Sequence, residues 1–312
     1  MFWKFEKPDH YNLQCRLKGH TEAIYCVAVS RNGNLLASGG GDGIRLWDLR
    51  TFKAFDPQPQ SRERQGQVSC TAWLTRRDDA QETLCCGTGL GFLKVWRQTS
   101  PAENFIETFD QRIGTGAEIV SMSTDASHDT DTRVALGTRD HVVQVFTADN
   151  KGILHSVFSI RLDTSIPIAV GFADNTAKDV YAFGLHNGQL HVLRGDNGQL
   201  QSTTTIGTLI GSAAINPTKN EFVVDSIANG FDLHHLDNGV WKRNYPTGKP
   251  ERTRPKQVVF GEDGRIVVGG SDHGTVYVFD SQTASPLYIL EHRGRMVQTL
   301  TVSLTAVITT PC

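Results

Sequence analysis

The sequence has 312 residues, a length that suits one large β domain or two ordinary domains. Its 31 lysine and arginine residues against 33 aspartate and glutamate residues give a formal net charge of −2, which argues against a nucleic-acid-binding or membrane-surface protein. No apolar run approaches the ~18 residues of a membrane span, and the first residues lack the apolar core of a signal peptide.

Residues 19–48 hold the clearest pattern in the chain. They open with Gly19 and His20 and close with Trp47 and Asp48. Between these pairs, glycine-rich turns separate three short β-prone runs, at residues 23–29, 35–38 and 44–48. The apolar residues alternate or stand in short blocks, which is typical of strands and not of an amphipathic helix. This stretch therefore predicts a small sheet.

Similar strand endings follow along the chain after further turn signals. They lie 41 to 50 residues apart, at Trp47, Trp96, Phe146, Leu193, His234 and Phe279. Earlier strands of each unit are predicted at residues 67–73, 84–87, 119–123, 134–137, 168–172, 180–184, 213–215, 221–224, 258–260 and 265–269. A period near ~40–45 residues is typical of a four-stranded propeller blade. Because the composition does not change along the chain, we expect one domain covering residues 1–312.

Two kinds of turn are predicted between these strands. The pairs Asn187-Gly188 and Asn229-Gly230 favour type I′ turns, which need positive φ at both central residues. Residues 87–91 are glycine-rich, but Phe92 stands where a dinucleotide-binding fingerprint needs its last glycine, and no helix follows. We therefore interpret residues 87–91 as a hairpin turn.

The Gly-His opening and Trp-Asp close of residues 19–48 resemble one WD repeat, and the later units resemble it less faithfully. The resemblance implies an all-β, seven-bladed β-propeller in which each blade covers its neighbour. It also implies that four residues form a buried structural hydrogen-bond chain within the first blade: His20, Ser38, Asp42 and Trp47. Burial of an indole N–H, an imidazole and a carboxylate requires such partners.

The seventh unit is incomplete at the end of the sequence. Residues 287–290 are predicted as an outer strand and residues 296–309 as two inner strands, with no third inner strand before Cys312. We expect residues 3–5 and 11–17 to supply the missing strands and so to join the two ends of the chain. The alternatives are a six-bladed propeller and a truncated version of a longer protein.

The family resemblance implies partner binding at the loops that enter each unit and at its hairpins. By position, these candidates are Glu22, Phe92, His141, His186, Asn229 and His273. Basic residues also gather in a predicted loop over residues 241–256, at Lys242, Arg243, Lys249, Arg252, Arg254 and Lys256. Three prolines predict an extended, exposed path, for which we favour an ordinary solvated loop. The functional alternative is a surface for an acidic or phosphorylated partner, which Trp241 supports as a typical anchor. A second basic group is Arg62, Arg64, Arg76 and Arg77.

No pattern predicts a catalytic, cofactor or metal site. The chain has no phosphate-binding loop and no nucleophile elbow. His186 and His191 lack a third ligand nearby, and His234 and His235 would point to opposite faces of a strand. The six cysteines form no Cys-x-x-Cys pair, which favours buried thiols in a reducing compartment, the cytoplasm or the nucleus.

We therefore predict a non-catalytic interaction scaffold or adaptor subunit that binds other proteins or peptides, without a membrane. One alternative is a propeller-type enzyme or small-ligand binder, such as a sugar-binding protein. That alternative requires a channel-mouth site drawn from Asp140, His141, His186 and His273. A nucleic-acid binder that uses the basic loops is a further alternative and is disfavoured by the charge balance.

Overall fold

The computed structural model describes residues 2–6, 10–55, 66–76, 81–99, 104–125, 132–207, 209–291, 296–303 and 306–311. Within these residues, 28 strands form seven four-stranded sheets. The only other regular elements described are 3₁₀ turns, at Pro217–Lys219 and Glu262–Gly264. The predicted all-β fold is confirmed. Arg62, Arg64 and Arg77, from the second basic group, lie outside the described residues.

The strands are labelled in chain order and grouped by sheet. The chain starts with β1 (Phe2–Glu6) and β2 (His10–Cys15). Sheet 1 contains β3 (Ile24–Val29), β4 (Leu35–Gly40), β5 (Gly43–Asp48) and β6 (Lys53–Phe55). Sheet 2 contains β7 (Val68–Leu74), β8 (Thr83–Thr88), β9 (Phe92–Gln98) and β10 (Phe105–Arg112). Sheet 3 contains β11 (Ile119–Thr124), β12 (Thr132–Thr138), β13 (Val142–Ala148) and β14 (Leu154–Arg161).

The remaining sheets follow the same order. Sheet 4 contains β15 (Pro167–Phe172), β16 (Val180–Gly184), β17 (Gln189–Leu193) and β18 (Leu200–Thr205). Sheet 5 contains β19 (Ala213–Asn216), β20 (Glu221–Asp225), β21 (Phe231–His235) and β22 (Trp241–Tyr245). Sheet 6 contains β23 (Val258–Gly261), β24 (Ile266–Gly269), β25 (Thr275–Asp280) and β26 (Pro286–Glu291). Sheet 7 combines β1 and β2 with β27 (Val297–Ser303) and β28 (Ala306–Pro311).

The chain divides into two compact units. Unit 1 comprises residues 1–19, 184–190 and 204–312, and unit 2 comprises residues 20–183 and 191–203. In unit 2, neighbouring sheets share apolar cores. One cluster joins Leu46 of sheet 1 to Trp73 and Trp96 of sheet 2, and the Trp73 indole N–H also donates to the Ala28 carbonyl at 3.0 Å. Each sheet thus covers an apolar face that its neighbour cannot bury alone.

Unit 1 repeats this packing with different residues. Phe231 and Tyr245 of sheet 5 share a cluster with Phe279 of sheet 6. A second cluster joins the valines of sheet 6 to Leu300 of sheet 7, and Tyr11 packs against it. Because successive side chains point to opposite faces of a strand, β24 contributes Ile266 and Val268 to one cluster and Val267 to the other.

Sheet 7 joins strands from the two ends of the chain. Its strand order is β2, β1, β28, β27. The antiparallel pairing of β1 with β28 places Phe2 opposite Ile308 and Lys4 opposite Ala306, and β2 pairs with the other edge of β1. The prediction that residues 3–5 and 11–17 complete the last sheet is confirmed. The other six sheets are each built from consecutive strands, in agreement with the six repeats visible in the sequence.

The prediction of type I′ turns was wrong at both Asn-Gly pairs. The prediction of a hairpin turn at residues 87–91 is confirmed. Positive φ falls on His186 and Gly188, and Asn187 instead accepts the Gln189 N–H through its side chain at 3.2 Å. That bond forms an Asx turn, which replaces the expected backbone turn. The second pair likewise has positive φ at Gly230 but not at its asparagine. In residues 87–91, the Gly91 N–H donates to the Thr88 carbonyl at 3.1 Å and closes the hairpin.

Two buried histidines should make stability depend on pH. His191 lies between the hydroxyls of Ser165 and Thr203, at 2.7 and 2.9 Å. His234 stacks on Phe222, with ring centroids 5.0 Å apart. Burial lowers the pKa of both imidazoles below the ordinary value. Since the unfolded chain then binds more protons, stability should be fully present above the ordinary histidine pKa of ~6.5 and fall as the pH drops below it.

Urea unfolding at pH 7.5, 6.5 and 5.5 measures this effect. We expect the midpoint to fall with pH in the wild type and to fall less steeply in His234→Phe, because phenylalanine does not titrate and can occupy the stacked position. His155→Phe is the matched control, since the His155 side chain is 63% exposed. An equal fall of the urea midpoint with pH in all three proteins would contradict a contribution of buried His234 to the pH dependence.

Candidate partner-binding surface

The four residues of the first repeat form a continuous hydrogen-bond chain in unit 2. His20 Nε2 lies 2.8 Å from Ser38 Oγ, and the Trp47 indole N–H donates to the same oxygen at 2.7 Å. His20 Nδ1 lies 2.5 Å from Asp42 Oδ1. Because the Asp42 carboxylate can only accept, Nδ1–H donates to it, and in the neutral ring Nε2 then accepts the Ser38 O–H. The residues therefore engage one another and hold β4, β5 and the preceding loop together.

Asp42 is the charged end of this chain. Its second oxygen accepts the Thr21 N–H at 2.9 Å. Burial opposes ionisation of Asp42, but the bonds from His20 and Thr21 outweigh it and hold the pKa of this carboxyl below its ordinary value. His20 and Asp42 are residue types that also form catalytic pairs. Here their polar atoms form hydrogen bonds to each other, to Ser38 and to Thr21.

Removing the imidazole should destabilise unit 2. We expect His20→Ala to cost about 1–3 kcal/mol, because Asp42 and Ser38 would lose their shared buried partner. His155→Ala, which removes a side chain that is 63% exposed, is the matched control and should stay within about 0.5 kcal/mol of the wild type. Denaturant unfolding measures both variants. Equal stabilities for the two would show that the chain does not support the fold.

The positional candidates lie in turns or at strand ends in both units. In unit 2, Glu22 is exposed, whereas Phe92 and His141 are partly buried. In unit 1, His186 and Asn229 are exposed, and His273 is partly buried. The alternative ligand site thus draws Asp140 and His141 from unit 2 but its other two histidines from unit 1. Asp140 already accepts the hydroxyls of Thr138 and Thr115, at 2.6 and 2.7 Å.

The loop predicted over residues 241–256 is shorter and more ordered than expected. Trp241–Tyr245 forms β22, the outer strand of sheet 5, because Tyr245 is buried and the strand pairs with β21. Lys242 pairs with Glu221 at 2.5 Å, and Lys256 is also buried in an ion pair. We call the remaining loop, residues 246–257, the basic loop.

Trp241 is separated from the basic loop along β22. Four residues at ~3.3 Å each place it about 13 Å from the end of the strand. Its side chain is exposed, and the residue is 57% accessible. Its indole N–H donates to Asp232 Oδ1 at 3.2 Å. Trp241 is therefore a distinct exposed position and not part of the basic loop.

A buried ion pair fixes the C-terminal end of the basic loop. Lys256 Nζ lies 3.0 Å from Asp225 Oδ1, and the two side chains are 2% and 0% exposed. The Lys256 N–H donates to the other Asp225 oxygen at 2.7 Å, and Nζ also donates to the Ile227 carbonyl at 3.1 Å. Burial raises the pKa of the Asp225 carboxyl, against the opposing effect of Lys256. Ile227 has φ 63°, a strained value for a β-branched residue that this network holds in place.

A second carboxylate holds the middle of the basic loop. The Arg252 N–H donates to Asp272 Oδ2 at 2.5 Å, and His273 Nδ1 lies 3.2 Å from Asp272 Oδ1. His273 Nε2 in turn lies 3.0 Å from the Tyr277 hydroxyl. Burial disfavours the Asp272 anion, but these bonds outweigh it and keep the pKa of Asp272 below its ordinary value. Asp272 thus joins His273 to the basic loop.

Three cationic side chains of the basic loop are exposed to solvent. Lys249, Arg252 and Arg254 are exposed, and no described residue forms an ion pair with any of them. Glu251 is the exposed acid of the same loop. The sequence analysis identified the arginines but missed Asp225 and Asp272. The one feature that could have indicated these two anchors is an aspartate at the end of a strand or in a hairpin. The result is a cationic surface on an anchored backbone.

Other chemical groups in the described part of the chain give no site. No three His, Cys, Asp or Glu residues there gather as metal ligands. Five described cysteines are free, at positions 15, 26, 70, 85 and 86. Burial raises the pKa of Cys26 to about 12, so its thiol stays protonated near neutral pH. Arg76, from the second basic group, donates to the Ala148 carbonyl at 2.8 Å. No helix of the described residues is long and apolar enough to cross a membrane.

Comparison with known proteins identifies the first repeat. Residues 11–48 match the family model for the WD domain, G-beta repeat. The chain is 31% identical over 134 residues to Pre-mRNA-processing factor 19 homolog 2 of Arabidopsis thaliana, covering 42% of this chain and 22% of that protein. It is 33% identical over 98 residues to THO complex subunit 6 of Homo sapiens, covering 28% and 27%. The match to small ribosomal subunit protein RACK1z of Oryza sativa subsp. japonica is 52% identical over 42 residues, 13% of each chain.

These matches span about a quarter or less of the relatives' own lengths. The residues that the family model matches, 11–48, include His20, Ser38, Asp42 and Trp47, which are joined by hydrogen bonds in the structure. The chain therefore contains a WD repeat at residues 11–48, and its resemblance to the WD-repeat family is confirmed.

Proposed function

We propose that the chain is a non-catalytic interaction subunit of a larger protein assembly in the cytoplasm or nucleus. The observation that carries this proposal is the basic loop. Its exposed cations form no ion pair within the described part of the chain, and its backbone is anchored by Asp225 and Asp272. Preorganised polar groups of this kind are typical of binding surfaces. Two relatives support an assembly, since their names place them in the THO complex and in the small ribosomal subunit.

The proposed fold is a single domain in which seven blades close into one β-propeller, with a six-bladed ring as the alternative. Shared apolar cores between neighbouring sheets within each unit support this arrangement. The assembly of sheet 7 from both ends of the chain also supports it, because it leaves no sheet with missing strands. The ring would present its loops and hairpins for partner binding.

The proposed partner is a protein or peptide with an acidic or phosphorylated segment that contacts the basic loop through Arg252 and Arg254. His273 borders this loop through Asp272. Trp241 offers a second, separate anchor because more than half of it is exposed. Further contacts are proposed at the other loop and hairpin positions: Glu22, Phe92, His141, His186 and Asn229. The acidic surface of the partner would complement three exposed cations.

Affinity capture from the native cell, followed by mass spectrometry, tests this function. We expect the wild-type chain to retain a reproducible set of proteins and Arg252→Glu/Arg254→Glu to lose part of that set. Arg265→Glu is the matched control, since the Arg265 side chain is 79% exposed and lies in the same unit but outside the basic loop. An unchanged set with the double variant would exclude the basic loop as the surface. No retained protein with any variant would overturn the function.

A further inference from the structure

We infer that the basic loop is a preformed site for a phosphate monoester, carried as phosphoserine or phosphothreonine on a segment of a partner protein. The inference rests on the proposed interaction function and names the ligand of that surface. Its main observation is that Arg252 and Arg254 lie two residues apart and that neither guanidinium group forms an ion pair with any residue that the structure describes. The Arg254 N–H donates to the Arg252 carbonyl at 3.0 Å, so a three-residue turn holds the two residues close.

The backbone that carries these arginines is held at every second N–H. The Arg252 N–H donates to Asp272, the Arg254 N–H donates to Arg252, and the Lys256 N–H donates to Asp225. Both carboxylate anchors are almost completely buried, with side chains 3% and 0% exposed. The loop therefore presents its charged side chains from an ordered backbone, and little backbone ordering remains for ligand binding.

The charge of the loop fits a phosphate better than a single carboxylate. Its exposed charged side chains are three cations, Lys249, Arg252 and Arg254, and one anion, Glu251. The buried Lys256 is balanced by Asp225 and does not add to this surface. A phosphorylated serine or threonine carries about −1.5 to −2 charges at pH 7, close to the excess of cations here. Guanidinium groups also match phosphate oxygens through pairs of parallel hydrogen bonds, which ammonium groups cannot form.

The size of the cationic surface favours a phosphorylated protein over a nucleic acid. Nucleic-acid-binding proteins present basic stripes that neutralise many phosphates, and their domains carry a positive net charge. Here the net charge is −2, and the three cations of the proposed site lie within one loop between β22 and β23. A site of this size suits one phosphate group with a few flanking residues.

Fluorescence anisotropy with the full chain tests the ligand directly. The probes are three labelled peptide pools of degenerate sequence with a fixed central residue: phosphoserine, serine or aspartate. We expect the phosphoserine pool to bind at least tenfold more tightly than the other two, and this binding to weaken with added salt. Arg252→Ala/Arg254→Ala should lose at least tenfold in affinity, and Arg252→Lys/Arg254→Lys should recover only part of it. Arg265→Ala should bind like the wild type.

A further variant distinguishes the effect of the fixed loop backbone on phosphate binding from the effect of the local charge. Asp272→Ala removes one negative charge and so increases the attraction for phosphate, but it also releases the Arg252 N–H. We expect weaker binding of the phosphoserine pool in this variant, with both arginines still present. Thermal unfolding monitored by circular dichroism confirms that the variants compared are folded. Tighter binding by Asp272→Ala would overturn the preformed site.

The remaining outcomes show whether the phosphopeptide assignment or the proposed interaction function is the one that fails. Equal binding of the phosphoserine and aspartate pools, or tighter binding of a single-stranded oligouridine probe, would overturn the phosphopeptide assignment. If capture from cells depends on the two arginines while the phosphoserine pool does not bind, the ligand assignment fails and the proposed function stands. If the phosphoserine pool binds but no protein is captured, the site stands and the assembly function fails.

Discussion

Replacing Trp47 with alanine should lower the free energy of unfolding by about 3–5 kcal/mol, the usual cost of deleting a buried tryptophan. Trp47 is 4% accessible and lies in β5. Its loss leaves a cavity in the blade and removes the indole N–H that donates to Ser38 Oγ. Both effects act on one sheet, because the same serine oxygen also faces His20 at 2.8 Å. The effect should therefore exceed that of His20→Ala.

Trp241→Ala is the matched control for this substitution. It deletes the same side chain from a position that is 57% accessible, so we expect a change within about 0.5 kcal/mol. Denaturant titration of both variants, followed by circular dichroism, measures the difference. A Trp47→Ala variant as stable as Trp241→Ala would show that the first repeat does not form the observed sheet.

Deleting residues 1–18 should prevent the formation of a stable native state. The deletion removes β1 and β2, half of sheet 7, and leaves β28 as an unpaired edge. It also removes Tyr11, which packs on the cluster containing Leu300 and lies edge-to-face with Tyr288 at 4.9 Å between ring centroids. Two-stranded sheets are marginally stable, and exposed edges promote association. We expect an aggregated or molten product.

A peptide covering residues 1–18 provides the control for this deletion. Added in excess during refolding, it should restore a monomeric species with a cooperative unfolding transition, because it supplies β1, which pairs with β28, and β2, which pairs with β1. Size-exclusion chromatography and urea unfolding measure the recovery. A deletion variant that is monomeric without the peptide, and has an unchanged midpoint, would contradict the role of sheet 7 and the proposed seven-bladed ring.

Local patterns account for the features that the sequence predicted well. Residues 19–48 place His20, Ser38, Asp42 and Trp47 at spacings set by turns and strand alternation, so their meeting depends on one sheet alone. The pairing of residues 3–5 with the C-terminal strands was predictable for another reason. Those residues were strand-like, and the last unit lacked strands to complete it.

The basic loop was predicted only in part because its order depends on distant partners. The sequence shows the arginines, but not that Lys256 is buried against Asp225, 31 positions earlier. The same applies to β22. Its sequence predicts part of the loop, but its pairing with β21 makes it a strand. A charged residue in a sequence is normally predicted to be exposed. A buried ion pair is an exception, because burying the two charges costs desolvation free energy.

The assembly of sheet 7 also bears on how the chain is made. Translation proceeds at about 5–20 residues per second, so β1 and β2 leave the ribosome about 15–60 s before β28 is synthesised. Throughout that interval the edge of β1 that later pairs with β28 has no partner. A β1 strand that forms before β28 is synthesised would expose this edge, and a chaperone bound to residues 2–15 would protect it until β27 and β28 emerge.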